Sequence, residues 1–436
     1  MDSRLKLTLA FVIVLSAAAR LVYLAGNRFF YWDEVVYLSM ADAFSGRFYA
    51  FEFFRPPLWP FLLSVLPKTA LAAKSASFAV SLAAVPLIFW LARKSLDDRK
   101  ALVITFFYAF NHFSLYYAGV GTAESLSVLL LYISFLSFYS ATKSGGYMDW
   151  IVSGAAFGLA VMTRHMAAFM IFPLAAYLLL TSGFEKKREF AVFALSALAV
   201  LSPWLIAMQA MFGNMLYPQL SNIGTSTQES SLFYLDGLPL FLGIQGLLII
   251  PALTLLRKDR LVFLGFVTAL TGFVLLSLIG HKEARYLMVL LPALTALEGA
   301  GLLYIADRIR PVRQNLNWIL TGIAAAAFVS VLVFAEFMPA GSELDSCMSL
   351  AEPYHTENTM STHAPLLAFS HKKPAIQVPD VLEDSLCDTI RDYHTDYVVY
   401  FEDWENERRK EEFDQKTSGC LDPIMHENGC TIYRAA

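Results

Sequence analysis

Residues 261–280 form a run of twenty residues without a formal charge. A helix needs about 20 mostly apolar residues to cross the roughly 30 Å hydrocarbon core of a bilayer. Hydrophobic residues make up 57% of the chain and charged residues only 16%, whereas soluble domains carry about 25% charged residues. We therefore expect a polytopic α-helical membrane protein, which excludes nucleic-acid readers, cytosolic nucleotide-binding enzymes and small disulfide scaffolds. About eleven transmembrane helices are expected, near 5–25, 69–92, 100–119, 121–141, 150–163, 165–181, 190–211, 237–256, 261–280, 286–306 and 317–338.

Charge divides the chain into two parts. Residues 340–436 contain 8 Lys and Arg against 19 Asp and Glu, while residues 1–339 contain 25 against 18. We expect a transmembrane domain over 1–339, with a long outer loop at 26–68, and a soluble C-terminal α/β domain over 340–436. In that domain, apolar spacing favours a helix at 381–393, and the β-branched and aromatic residues 397–401 favour a strand. The charged run 402–412 is expected to be a solvated helix or loop.

Basic residues predict the orientation in the membrane. With the N-terminus in the cytoplasm, 16 basic residues of the membrane domain lie on the inner side and 8 on the outer side, as the positive-inside rule requires. Arg20 lies inside the first span and belongs to neither set. An odd number of spans then places the C-terminal domain on the extracytoplasmic side. We expect the membrane to be the plasma membrane.

All four cysteines lie in the C-terminal domain. An even number of cysteines in one polar domain favours an oxidising compartment and up to two disulfides. Three pairings are open, of which Cys420–Cys430 is the most local. The five histidines of this domain do not have zinc-ligand spacing. The candidate disulfide residues are Cys347, Cys387, Cys420 and Cys430.

The first outer loop contains two adjacent carboxylates, Asp33 and Glu34. They precede an apolar helical pattern that ends at Gly46. One interpretation is structural, with Asp33 as the N-cap and Glu34 complementing the helix dipole. The other is functional, with the pair supplying a general base at the outer face. Both interpretations stay open.

Arg55 precedes two prolines and an apolar stretch. The prolines hold the guanidinium in a stiff, non-helical segment. Arginine suits bidentate phosphate contact. The structural alternative is that Arg55 lies at the membrane boundary, with its apolar stem against the hydrocarbon and its guanidinium in the aqueous interface.

The segment 280–287 places four ionisable residues between two apolar runs. On the predicted outer face, such a basic cluster runs against the positive-inside rule, which makes it the strongest functional signal in the chain. Lys282 and Arg285 are three residues apart, so on one helical turn they could face a single anion. His281 and Glu283 are expected to orient them or an acceptor.

Three further charged residues interrupt the apolar runs. Glu124 begins a span, where a carboxylate needs a partner, and Arg164 at the next outer turn is the expected partner. Glu298 lies deep in a span, facing either a basic residue or a cavity.

These motifs resemble those of the GT-C superfamily of membrane glycosyltransferases, which use polyprenyl-phosphate sugars. Trp32-Asp33-Glu34 resembles the acidic motif of protein O-mannosyltransferases and aminoarabinose transferases, and Arg55-Pro56-Pro57-Leu58 resembles the Lys/Arg-Pro-Pro-Leu segment that follows it there. The sequence His281-Lys282-Glu283-Ala284-Arg285-Tyr286 is similar to the His-Lys-Glu-x-Arg-Phe motif of dolichol-phosphate-mannose-dependent mannosyltransferases.

The resemblance implies an inverting transfer of a sugar, with mannose favoured, from a polyprenyl- or dolichyl-phosphate donor to a hydroxyl on the outer or lumenal face. Asp33 would be the general base and Glu34 its orienting neighbour. The expected acceptor is a protein, a lipid-linked glycan or a glycolipid. Some relatives bind a divalent metal near the acidic loop, so the resemblance admits one near Asp33 and Glu34. The leaving phosphate would be met by Arg55, Lys282 and Arg285, with Glu124 and Arg164 shaping the cavity.

Two other classes of function are compatible with the sequence. A transporter or flippase of lipid-linked or small anionic substrates also needs charges among apolar spans, but such proteins tend to show internal repeats, and none is apparent here. A catalytically inactive scaffold with an outer binding domain is the third class.

Overall fold

The computed structural model describes residues 3–27, 31–46, 55–183, 185–216, 233–279, 282–334, 342–356, 358–371, 373, 375–378, 386–401, 407–427 and 429–435. The chain is an integral membrane protein made mostly of helices, with a small C-terminal sheet domain. It divides into two compact units. Unit 1 comprises Met1–Gly26, Phe53–Trp59 and Lys74–Glu336, and unit 2 comprises Asn27–Glu52, Pro60–Ala73 and Phe337–Ala436.

Fifteen helices precede the C-terminal domain in the described part of the chain. Short 3-10 turns at His165–Met170, Ile244–Leu248, Leu253–Leu255 and Ala284–Leu290 join or extend some of them. The α-helices are α1 (Ser3–Gly26), α2 (Trp32–Phe44), α3 (Leu58–Leu63), α4 (Ala70–Arg93), α5 (Asp98–Phe110), α6 (His112–Ala118), α7 (Glu124–Ser144), α8 (Tyr147–Thr163), α9 (Ile171–Ser182), α10 (Lys187–Phe212), α11 (Phe233–Leu242), α12 (Ile249–Ala252), α13 (Arg260–Ser277), α14 (Leu291–Arg308) and α15 (Arg310–Phe334).

Within the described residues, seven helical segments are long and apolar enough to cross a membrane. Two of the expected continuous spans are broken. At 100–119, the Asn111 side chain accepts a hydrogen bond from the Ser114 N–H and starts a new helix. At 237–256, Gly243 adopts a positive φ of 60° and ends a helix. Hydropathy could not predict these breaks, because capping residues and glycines are tolerated inside apolar runs.

Small residues allow two helices of unit 1 to pack closely. Gly154 and Gly158 lie four residues apart on α8, where it packs against α10. A Cβ atom at Gly154 would lie 2.1 Å from the carbonyl oxygen of Phe193. The two backbones therefore approach through a small-residue stripe, as membrane helices commonly do.

In its described residues, the C-terminal domain has four α-helices, a short 3-10 turn at Glu352–Tyr354 and a five-stranded sheet of order β2-β1-β3-β5-β4. The strands β1, β2 and β3 are parallel to one another, whereas β5 runs antiparallel to both β3 and β4. The elements are α16 (Ser342–Ala351), β1 (Thr359–Ser361), α17 (Ala364–His371), β2 (Ile376–Gln377), α18 (Leu386–Asp392), β3 (Tyr397–Phe401), α19 (Glu407–Thr417), β4 (Leu421–Glu427) and β5 (Cys430–Ala435).

The predicted strand at 397–401 is present as β3. The helix expected at 381–393 is present as Leu386–Asp392, and residues 379–385 lie outside the described residues. In the charged run, the described part from 407 is helical, as α19. A buried apolar cluster packs one face of the sheet against these two helices and includes Met360, Val398, Tyr400, Phe413 and Tyr433.

Two disulfides close the domain, Cys347–Cys430 and Cys387–Cys420. The local pairing of Cys420 with Cys430 does not occur. The strands β4 and β5 pair in a register that places Glu427 opposite Cys430 and Leu421 opposite Ala435, so the two cysteines stand at opposite ends of the hairpin. At about 3.3 Å per residue, that separation is far beyond the reach of a disulfide.

Candidate active site

The acidic pair lies in the first turn of α2, in unit 2. The helix begins at Trp32, and its N-cap is Tyr31, so the expectation that Asp33 is the N-cap is wrong. The backbone N–H of Tyr31 donates to Glu34 Oε2 at 3.2 Å, which satisfies one of the amide groups that a helix start leaves unpaired. Both carboxylates are buried, Asp33 at 5% exposure and Glu34 at 0%.

Ten consecutive residues of α2, from Asp33 to Asp42, are buried. This burial differs from the pattern of a helix lying on a membrane surface, which would expose one face. A carboxylate buried in this way must be paired with donors or cations. Glu34 Oε2 accepts the capping hydrogen bond from the Tyr31 N–H, whereas the Asp33 carboxylate takes no part in the helix cap.

Unit 1 contains a compact ionic cluster around Glu124. This residue begins α7 and is 1% exposed. Its Oε1 atom forms an ion pair with Nη1 of Arg164, which ends α8, and lies 3.4 Å from Nη1 of Arg285. The pairing of Glu124 with Arg164 expected from the sequence is therefore present. One carboxylate thus brings together two guanidinium groups from distant parts of the chain.

The second carboxylate of this cluster is Glu283. Its Oε1 accepts hydrogen bonds from Arg285 Nη2 at 2.8 Å and from the Tyr286 hydroxyl at 3.0 Å. The guanidinium of Arg164 lies 5.8 Å from the centre of the Tyr286 ring, within the range of a cation–π contact. Glu283 and Tyr286 therefore hold the two arginines in place.

The predicted helical turn containing both Lys282 and Arg285 is not formed. Helical structure begins at Ala284, and Glu283 has an extended backbone with φ −134° and ψ 140°. Lys282 precedes the turn and is buried, at 5% exposure. The two cations thus reach their positions from different backbone conformations. His281 lies outside the described residues.

Arg55 lies in the non-helical stretch that ends where α3 begins at Leu58. The indole N–H of Trp59 donates to the carbonyl oxygen of Gly121 at 3.0 Å, which fixes this stretch beside the turn before Glu124. The charges of Arg55 and Arg164 both act on His165. Arg55 is therefore near the ionic cluster.

Ion pairs in the cluster join Glu124 with Arg164 and Arg285, and Glu283 with Arg285. Its carboxylates are Glu124 and Glu283, and Glu124 Oε2 has no hydrogen-bond partner among the described atoms. Arg55, whose charge acts on His165, and the buried Lys282 are two further cations of unit 1.

Comparison with known proteins places this arrangement in a known fold. Residues 55–206 match the family of dolichyl-phosphate-mannose-protein mannosyltransferases. The whole chain is similar to ArnT from Cupriavidus metallidurans bound to undecaprenyl phosphate, with a TM-score of 0.73 at 13% identity over 97% of this chain and 98% of that one. The chain has the GT-C fold.

A second solved structure supports the same assignment of the fold. The archaeal oligosaccharyltransferase AglB from Archaeoglobus fulgidus, in complex with an inhibitory peptide and a dolichol-phosphate, matches with a TM-score of 0.61 at 11% identity. The match covers 99% of this chain and 74% of AglB. No curated protein matches the chain by sequence. The resemblance to membrane glycosyltransferases expected from the motifs is confirmed, whereas the individual motif roles stay predictions.

Sequence reasoning missed Tyr117, at the end of α6. Glu124, Arg164 and Arg285 all act electrostatically on its hydroxyl, which therefore lies near the ionic cluster. A tyrosine in an apolar run gives no sequence signal, because aromatic residues are common in spans. Lys74, at 4% exposure in α4, is a second buried cation that the sequence analysis did not single out.

Arg20 and Glu298 are buried charged residues outside the cluster. Arg20 is fully buried and donates to Ser81 Oγ, Ser114 Oγ and the carbonyl oxygen of Ala109, each at 2.9 Å. These bonds join α1 to α4, α5 and α6, a packing role that the sequence left unassigned. Glu298 is 1% exposed, and neither carboxylate oxygen has a hydrogen-bond partner among the described atoms.

The described residues do not provide a metal centre near the acidic pair. No group of three or more His, Cys, Asp or Glu side chains in the described part of the chain could hold a metal ion. One oxygen of Glu34 is already used by the Tyr31 N–H.

Proposed function

We propose that this chain transfers a sugar from a polyprenyl-phosphate donor to a hydroxyl acceptor, with inversion at the anomeric carbon. The observation that carries the proposal is the buried ionic cluster of Glu124, Arg164 and Arg285 within a GT-C fold. The similarity to proteins solved with undecaprenyl phosphate and dolichol-phosphate supports a lipid-phosphate donor.

Asp33 is the proposed general base. The O–H bond of the acceptor breaks, its proton passes to the Asp33 carboxylate, and the oxygen bonds to the anomeric carbon. The bond from that carbon to the phosphate oxygen breaks, and its electron pair leaves on the phosphate. Asp33 suits this role because its carboxylate is buried and does not form the helix cap. Glu34, fixed by the Tyr31 N–H, would orient the neighbouring base.

Arg55, Lys282 and Arg285 are the proposed phosphate-binding residues. The donor is a phosphodiester with one negative charge, and the departing polyprenyl phosphate is a monoester that gains a second. Cations at this position bind the transition state more tightly than the donor, which lowers the barrier. Glu124 and Glu283 would keep Arg164 and Arg285 oriented, and His281 would act on the acceptor or the neighbouring charges.

Mannose is the proposed sugar. The similarity of residues 281–286 to the motif of dolichol-phosphate-mannose-dependent enzymes supports this choice, as does the match of residues 55–206 to a mannosyltransferase family. The proposed acceptor is a hydroxyl of a protein, a lipid-linked glycan or a glycolipid. The positive-inside pattern supports transfer on the extracytoplasmic or lumenal face.

The proposal is tested with purified protein in detergent. The protein is given labelled polyprenyl-phosphate mannose and, in separate reactions, a serine/threonine peptide, a lipid-linked glycan and a glycolipid. We expect label on one acceptor, released polyprenyl phosphate and an inverted anomeric centre. Because detergent removes any sealed compartment, product formation separates the enzyme from a transporter. Absence of transfer to every acceptor class, by protein that binds the donor, would overturn the proposal.

A further inference from the structure

The C-terminal sheet contains a topological switch point. The chain leaves β1, crosses through α17 to β2 on one side, and returns through α18 to β3 on the other side of β1. In open α/β sheets, such a reversal opens a crevice at the carboxyl ends of the two central strands, where functional contacts concentrate. Here this edge is formed by Ser361 at the end of β1, by the two residues that follow it, and by Phe401 at the end of β3.

The residue that meets this edge is Trp32, the first residue of α2. Its ring lies against that of His363, with ring centroids 4.2 Å apart and planes inclined by 31°. The helix α17, which begins immediately after His363, also packs against α2. Trp32 directly precedes Asp33, so the contact fixes the end of the helix that carries the acidic pair.

The backbone of His363 is held by its own loop. Its N–H donates to Ser361 Oγ at 3.0 Å, and its carbonyl oxygen accepts from the N–H groups of Leu366 and Leu367, each at 3.1 Å. These hydrogen bonds fix the backbone that carries the imidazole at the end of β1.

The neighbouring strand holds the same loop from the other side. The Thr362 N–H donates to the Val399 carbonyl at 3.1 Å, and the Phe401 N–H donates to Thr362 Oγ1 at 2.9 Å. The Phe401 ring meets the His363 ring edge-on, at 6.1 Å. His363 is fully buried, and this burial lowers the pKa of its imidazole to about 3. The ring is therefore neutral at physiological pH and acts as a flat packing surface.

We infer that His363 is a positioning residue for the transfer reaction: by packing on Trp32, it sets the place of the Asp33 carboxylate. This role rests on the proposed function, because Asp33 is the proposed base. It also gives the C-terminal domain a part in catalysis, because His363 belongs to that domain. Two disulfides cross-link the same domain, Cys347–Cys430 and Cys387–Cys420. Misplacement of a catalytic group by about 1 Å can lower a rate on the order of 100-fold.

The first experiment compares two replacements of His363 in the full chain. His363→Phe keeps a flat ring, whereas His363→Gln keeps polarity and approximate size but loses the ring. We expect His363→Phe to retain kcat within about threefold and His363→Gln to lose on the order of 10-fold or more in kcat, with donor KM nearly unchanged. Equal kcat values for the two variants would overturn the inference.

His355→Gln is the matched control. His355 is also buried, at 2% exposure, but it precedes β1 and so lies toward the opposite edge of the sheet, where it hydrogen-bonds to His371 at 2.8 Å. We expect this variant to keep kcat. A loss of kcat in His355→Gln equal to that in His363→Gln would show a general effect of disturbing the domain and would overturn the positioning role.

A double-mutant cycle tests whether His363 acts through Trp32. We expect Trp32→Ala combined with His363→Gln to lose no more kcat than Trp32→Ala alone, because the second change removes a contact already lost. Additive losses would contradict the inference. The outcome is separable from failure of the proposed function. An active wild-type protein with unaffected His363 variants rejects only the inference, whereas an inactive wild-type protein that binds donor rejects the reaction itself.

Discussion

Arg285 Nη1 lies 3.4 Å from Glu124 Oε1, although the two residues are 161 positions apart in the chain. Arg164 contacts the same carboxylate oxygen. Glu124 is therefore the residue that brings the start of α7, the end of α8 and the segment after α13 into one ionic site. The two arginines therefore explain why a glutamate stands at the start of an apolar helix: its carboxylate is the shared counter-charge of both guanidinium groups.

Glu124→Gln should destabilise the protein and reduce transfer. The change leaves two largely buried guanidinium groups without their shared counter-charge, which typically costs about 3–5 kcal/mol of unfolding free energy. Asp307→Asn is the control, because Asp307 pairs with Arg99 but its side chain is 61% exposed, and such pairs contribute about 1 kcal/mol or less. Thermal unfolding in detergent measures both. Equal shifts of the two variants would contradict a structural role for the Glu124 site.

Lys282→Ala and Arg285→Ala should weaken productive donor binding. Each removes one cation from the proposed phosphate site, and we expect kcat/KM for the donor to fall on the order of 10- to 100-fold. Arg285→Lys should recover part of the loss by restoring charge without the forked geometry. Arg257→Ala is the control, since Arg257 is an exposed residue in the turn before α13. Unchanged donor kinetics in both Lys282→Ala and Arg285→Ala would remove the phosphate role.

Gly154→Ala should loosen the contact between α8 and α10. The added Cβ would stand 2.1 Å from the Phe193 carbonyl oxygen, so the helices must separate, at a cost of about 1–3 kcal/mol. Gly146→Ala introduces the same methyl group where the nearest atom, Ser144 Oγ, is 3.6 Å away. We expect only the first variant to lower the unfolding temperature, and a similar loss in both would contradict close backbone packing at Gly154.

Acid should destabilise the C-terminal domain through His363. Burial lowers the pKa of this imidazole to about 3, below the value of about 6.5 for an unfolded chain. The neutral ring therefore contributes stability that is present above pH 6.5 and is lost as the pH falls toward 3. His363→Phe should make the unfolding temperature less dependent on pH between 7 and 4. The same pH dependence in wild type and variant would show that other groups are responsible.

Much of the membrane part could be predicted from sequence because apolar runs and charge obey the simple demands of the bilayer. The pairing of Glu124 with Arg164 was predictable for the same reason, since a lone carboxylate in such a run requires a cation. The breaks at Asn111 and Gly243 were not, because caps and positive-φ glycines do not interrupt hydropathy. Tyr117 could not be singled out, because its importance comes only from what folds against it.

The C-terminal domain shows a different limit of sequence reasoning. The strand at Tyr397–Phe401 follows from local composition, but the disulfide pairing depends on strand register. Cys420 and Cys430 are only ten residues apart, yet the β4–β5 register separates them and gives each a distant partner. The contact of Trp32 with His363 is likewise tertiary, since it joins residues more than 300 positions apart.

The central claim is that Asp33 is the base of a sugar transfer from a polyprenyl-phosphate donor. The most direct measurement is the transfer rate of Asp33→Asn with labelled donor and the preferred acceptor, alongside its donor affinity and unfolding temperature. The variant keeps the shape of the side chain but cannot accept the acceptor proton. We predict a loss of at least about 100-fold in kcat, typical of a missing general base, with donor binding and unfolding temperature retained. Wild-type turnover by folded Asp33→Asn would contradict the claim.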